Sequence, residues 1–140
     1  MDIQIATLCD FAADYNGKMV ISGTFDTLAG QAMPLVHPAC VLAMRLVITP
    51  EDSGSHKFTV NIIDADGTPL DEKMPIEADM PIELPNNVPF MTRNLILNLQ
   101  GLKFPEDGVY YVDISIDDEL ISRVPLRIVE MSQDQAAQQA

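Results

Sequence analysis

Two cysteines and two histidines are the side chains of this 140-residue chain best suited to hold a metal or attack an electrophile. Cys9, His37, Cys40 and His56 supply the sulfur and nitrogen donors that a tetrahedral zinc takes, and His37-Pro38-Ala39-Cys40 forms a local pair. Zinc sites generally show two tight ligand pairs, whereas Cys9 and His56 stand alone. A cysteine nucleophile needs a base or a positive field to make its thiolate, and Cys9 sits between Leu8 and Asp10. The spacing therefore favours buried thiols and loop imidazoles. A metal-dependent or thiol enzyme built on these four residues is the competing class. A Gly-x-Ser-x-Gly nucleophile turn is missing from the sequence.

Carboxylates and amides form two further sets. Asp64-x-Asp66-Gly67 and the run Asp113, Asp117, Asp118, Glu119 could gather oxygens for calcium, which wants about six to eight of them. Neither completes a binding loop, and Asp-Gly is first of all turn chemistry. Asn94, Asn98 and Gln100, with Lys103 beyond, make a candidate binding face able to grip a peptide or carbohydrate through paired amide hydrogen bonds. An ordinary solvated sheet face explains them equally simply. No catalytic residue, cofactor or metal is assigned from the sequence, and the chain reads as a non-enzyme.

Charge narrows the partners. Twenty-one acidic against eight basic residues give a net charge of −13. Neutralising phosphates takes clustered Lys and Arg, so neither nucleic acid nor an anionic membrane surface is an expected partner. The first residues lack a basic, apolar leader, and no stretch reaches the roughly 20 apolar residues of a membrane span. A cytoplasmic location with reduced cysteines is the expectation.

The elements that must position these groups read as strands. Hydrophobic residues are 47% of the chain and charged ones 21%, a globular balance, and ten prolines with seven glycines cut it into short segments. Residues 2–12 form a strand that is apolar on both sides, which calls for cover on both faces or an interface, with Ile3, Ile5 and Leu8 at that interface unless the Ala29–Pro38 loop covers them. Asn16-Gly17 accepts the positive φ of a tight hairpin turn, and Met19–Leu28 returns with Gly23 as a bulge or close-approach point. Ala29–Pro38 reads as a loop. Cys40–Ile48, the longest apolar run, suits a central strand, and Phe58, Val60 and Ile62 mark the next one. Five prolines and several acids confine Thr68–Pro89 to edges or loops. From Asn94 to Leu126 the alternation predicts three consecutive strands of one antiparallel sheet. Residues 1–131 make a single domain, followed by a polar tail over 132–140.

Glu106-x-Gly108-x-Tyr110 leads into one of those strands and resembles the tyrosine corner of immunoglobulin-like sandwiches, in which the Tyr hydroxyl bonds backbone upstream. Val112 stands where antibody domains carry a cysteine, so the likeness is to the architecture alone. It implies an all-β, antiparallel Greek-key β-sandwich of about eight strands. A jelly roll is the other Greek-key option. Over nearly all of its length except the irregular Thr68–Pro89 region and the tail, the sequence also resembles a family of small uncharacterised bacterial proteins. The matching phrases are Leu8-Cys9, Asn16-Gly17-Lys18, Gly23-Thr24-Phe25-Asp26-Thr27, His37-Pro38, Asn94 through Pro105, Gly108-x-Tyr110 and Pro125-Leu126. That resemblance implies no activity and carries over no catalytic residue. The resulting expectation is a protein-binding or structural β-sandwich that works as a homo-oligomer, a dimer through the N-terminal hairpin, which lies outside the strands matched to the sandwich and is free to project or pair elsewhere. A calcium- or carbohydrate-binding module is the further alternative.

Overall fold

The computed structural model describes residues 1–131; the tail expected over 132–140 lies outside the described residues. The described chain is nine strands and one 3-10 turn, without an α-helix. The strands are β1 (Asp2–Tyr15), β2 (Lys18–Phe25), β3 (Thr27–Gly30), β4 (Leu35–Ile48), β5 (Gly54–Ile63), β6 (Ile76–Ile82), β7 (Met91–Phe104), β8 (Gly108–Ile116) and β9 (Glu119–Glu130). They form two sheets, ordered β2-β1-β4-β7 and β3-β9-β8-β5-β6.

The sheets pack face to face because both present an aliphatic side inward. Leu8, Leu42, Met44, Leu99 and Phe104 from the first sheet meet Val60, Ile62, Val112, Ile114, Leu126 and Ile128 from the second in one core. The apolar run Cys40–Ile48 lies centrally, with β1 on one side and β7 on the other. The acidic, proline-bearing β6 is an edge strand, as its composition demanded. At Gly101, whose φ is +62°, the inward phase of β7 changes from Leu99 to Leu102 and Phe104. The facing stretch of β4 changes phase with it, between Leu35 and Cys40, so the pairing register does not slip.

Four readings of the sequence are corrected. The run Asn94–Leu126 is not one meander: β7 belongs to the first sheet, and β8 and β9 to the second. Phe104 and Tyr110 both point into the core, their rings edge to face at 5.0 Å, so the segment between them crosses from sheet to sheet. Alternation alone cannot report such a crossing. Ala29–Pro38 is not all loop, since β4 begins at Leu35 and Pro38 lies within it. Pro38 is tolerated there because β1 pairs with β4 only from Val41 onward, leaving that edge without a partner needing its N–H. The return strand stops at Phe25, and Thr27–Gly30 moves to the second sheet, where it runs parallel to β9. The described chain thus has nine strands where about eight were expected, and one parallel pair in an otherwise antiparallel pairing.

The fourth correction sets the shape of the molecule. Along β1, Ile5 pairs with Arg45 and Cys9 with Val41, so a straight strand would carry its end away from Arg45. The hairpin tip nevertheless returns to Arg45, whose Nη1 donates to the Gly17 carbonyl at 3.0 Å. The hairpin therefore folds back over the outer face of its own sheet and does not project. The bend falls where Asp10 lies opposite Gly23, which has φ +73° and leaves no room for a Cβ beside the Asp10 carboxylate. Only glycine adopts that backbone without strain.

Candidate functional site

The β1–β2 register sorts the hairpin into two faces. Ala12, Met19 and Ile21 point down and pack on Cys9, Val41, Ala43 and Ile96. Strand one is thus covered on both sides, as its pattern required, and its outer cover is its own hairpin. A polar latch holds the tip. Arg45 donates to Gln4, Gly17, Asn94 and Thr92, and Asn94 donates in turn to Asp14 at 3.0 Å. The Asp14 carboxylate also accepts from the Gly17 N–H, and these two bonds hold its pKa below the usual carboxylate range.

The upper face looks outward. It carries Phe11, Ala13 and Tyr15 opposite Ser22, Val20 and Lys18. Phe11 is 56% exposed, Tyr15 70% and Val20 47%, three of the large hydrophobic side chains that solvent reaches most freely. Asp10 and Asp14 belong to the other phase, so Lys18 is the only charge on this face. Sequence reasoning placed the apolar character in Ile3, Ile5 and Leu8. Ile3 and Leu8 instead point into the sandwich core. The signal for this exposed apolar face was available: Phe11, Ala13 and Tyr15 alternate with Asp10, Ala12 and Asp14 and fall opposite Val20 across the Asn-Gly turn.

The amide row divides. Asn94 is consumed by the latch, whereas Asn98, Gln100 and Lys103 remain exposed on β7. The four metal-donor candidates do not gather. Cys9 and Cys40 are buried free thiols on the first sheet, and His56 lies on β5 of the second. Burial raises both thiols, Cys40 to about 11, which opposes thiolate chemistry. His37 packs its ring at 5.7 Å from that of Phe25. Among the described residues no group of three or more His, Cys, Asp or Glu is placed to hold a metal ion.

The calcium candidates are spread along β5, Asp64 just past its end, Asp113 opposite Asn61 and Asp117 beside Lys57, and these three are engaged internally. Asp64 caps its own turn by accepting from the Asp66 and Thr68 amides. Both Asp113 oxygens take an Arg123 N–H, at 2.7 and 2.8 Å, while the Arg123 guanidinium lies 5.0 Å from the Tyr111 ring centre. Asp118 pairs with Lys57, and Asp117 accepts from the Lys57 amide and from His56. His56 is the clasp here. Its Nδ1 lies 2.6 Å from Asp117 Oδ2 and its Nε2 2.6 Å from the Asp52 carbonyl oxygen. Both partners only accept, so the doubly protonated imidazolium is the form that satisfies them, and its pKa is raised accordingly.

At the corner, Tyr110 is 4% exposed and its hydroxyl donates to the Glu106 carbonyl at 2.8 Å. Gly108, with φ +136°, permits the turn between them. A cleft of about 380 Å³ opens beside this corner, walled by residues 64–70 and 105–110, with Asp66, Glu106 and Asp107 on its rim.

The chain matches the family of unknown function DUF6941 over residues 4–129 and belongs to that family. No curated protein matches it.

Proposed function

We propose that this member of DUF6941 is a non-catalytic binding module that self-associates, two copies meeting through the outward face of the β1–β2 hairpin. The observation that carries the reading is the composition of that face. In a chain of net charge −13, Phe11, Ala13, Tyr15 and Val20 lie together without a carboxylate among them. Two acidic molecules can approach there without opposing like charges, and aromatic side chains supply the area that dominates interface energies. A symmetric two-fold dimer is the commonest way to close such a self-complementary contact.

The reading takes the scaffold to be an immunoglobulin-like Greek-key sandwich. Its support is the neighbour order β9-β8-β5 in one sheet and β4-β7 in the other, matching G-F-C and B-E, together with the bonded Tyr110 corner. It also takes the protein to work in the bacterial cytoplasm. The resemblance to small bacterial proteins and the two unpaired, buried thiols support that placement. No helix among the described residues is long and apolar enough to cross a membrane.

Hydrogen exchange at rising protein concentration tests the proposal. Amides from Phe11 to Ser22 should gain protection as the concentration increases, while those of β8 and β9 keep theirs. Protection that is independent of concentration throughout the hairpin would remove the reading.

A further inference from the structure

The two sheets leave four edge strands, and three are blunted. β3 is four residues long, β6 carries Glu77, Asp79 and Pro81, and β2 bends at Gly23. β7 is different: fourteen residues without an acid or a proline, paired along one side with β4 and, among the described residues, with no strand along the other. Its start is tied to β6, because Arg93 donates to the Pro81 carbonyl. From Asn94 to Lys103 the outer row of backbone groups is open. An unprotected edge of this length is a template for another strand.

The side chains along it say what kind of strand fits. Leu95 and Leu97 point inward with the buried Leu99, yet stay only half-buried, because the sandwich is open beside them. Asn98, Gln100 and Lys103 face outward and are exposed. We propose that the β7 edge between Asn94 and Lys103 accepts an extended segment of a partner protein, alternating apolar with acidic side chains, as an added strand. Backbone hydrogen bonds supply affinity and alternate side chains supply specificity in such pairing. The inward side chains cover Leu95 and Leu97, and the outward carboxylates meet Asn98 and Gln100, while Lys103, beyond the phase change at Gly101, adds positive charge to the same outer face. Charge selects the partner: β7 bears Arg93 and Lys103 and no acid, whereas the acidic β6 edge repels such a segment. The hairpin tip meets the outer face of β7 at Asn94, but Phe11 and Val20 belong to the opposite face of the hairpin, so the two sites use different side chains.

Titrating ¹⁵N-labelled protein with a blocked octapeptide alternating valine and glutamate, and with its valine–lysine counterpart, tests this. The acidic peptide should shift amides of Leu95–Lys103 and their β4 neighbours. It should bind about threefold more tightly than the basic one at low salt, the gap closing as salt is added. Gln100→Glu with Lys103→Glu, both exposed, should reverse the preference. Absence of shifts on β7 at millimolar peptide, shifts elsewhere only, or equal binding of both peptides would overturn the proposal. Concentration-dependent β7 shifts without peptide would assign the edge to a second copy and equally overturn it. Phe11→Asp should leave peptide binding intact while abolishing self-association, so the two readings fail separately.

Discussion

Tyr110→Phe removes one oxygen from a buried side chain and nothing else. The phenol donates to the Glu106 carbonyl at 2.8 Å, and its ring packs edge to face on the fully buried Phe104. Phenylalanine keeps the ring contact, so the loss isolates the hydrogen bond. A hydrogen bond of this kind contributes about 1 kcal/mol net, rising towards 3 kcal/mol if the abandoned acceptor stays dry. Glu106 is exposed and lines the open cleft, so water can reach its carbonyl and the lower figure applies. A domain of this length unfolds with an entropy that makes about 1 kcal/mol worth roughly 3–4 °C in Tm. Urea denaturation of the two proteins should show a lower midpoint with an unchanged slope. Spectrophotometric titration supplies a second readout. Burial raises the Tyr110 pKa, and the high-pH step belonging to it should vanish in the variant. An unchanged midpoint, or the loss of a phenol that titrates normally, would refute the corner as the lock between the two sheets.

The His56 clasp predicts a pH dependence. Its folded pKa lies above the ordinary 6.5, raised chiefly by the bond to Asp117 and then by the Asp52 carbonyl, so its stabilisation is complete below 6.5 and is lost as pH rises through the folded value. Asp117 is lowered, first by the Lys57 amide and then by His56, so its share is present above the unfolded carboxylate pKa and disappears in acid. Melting curves of His56→Gln should therefore lack the wild type's decline above neutrality; parallel pH profiles would contradict the assignment. Gly23→Ala must adopt φ +73° with its Cβ against Asp10, and should lose about 1 kcal/mol in denaturant, with Gly23→Val losing more. Equal stability would mean that the hairpin bend lies elsewhere. Millimolar calcium should leave Tm unchanged, because Asp64, Asp113 and Asp117 are already bonded within the chain. A rise of many degrees, abolished by Asp66→Asn, would reverse that conclusion.

Much of the architecture is written locally and could be read. The Asn16-Gly17 turn, the central Cys40–Ile48 strand, the acidic β6 edge and the Tyr110 bond each follow from a few neighbouring residues. What escaped depends on partners distant in sequence. Arg45 looks like a stray charge in an apolar strand until Gly17 and Asn94 are brought beside it, and both are more than 25 residues away. His56 meets Asp117 across 61 residues. The crossing between β7 and β8 preserves the same alternation that a hairpin would show, so periodicity could not separate them. Gly23 was legible as an irregularity, but its consequence was not. A bend there folds the hairpin inward, turning Ile3 and Leu8 from an imagined interface into core and leaving Phe11, Tyr15 and Val20 outside.

Light scattering of the wild type and of Phe11→Asp with Val20→Asp, over a wide concentration range, tests the self-association claim most directly. Both side chains are exposed, so the substitutions should leave the melting temperature nearly unchanged. The wild-type mass should rise from monomer to dimer with concentration, and the variant should stay monomeric at every concentration. A wild type that is monomeric throughout, or a dimer that survives both substitutions, would contradict it.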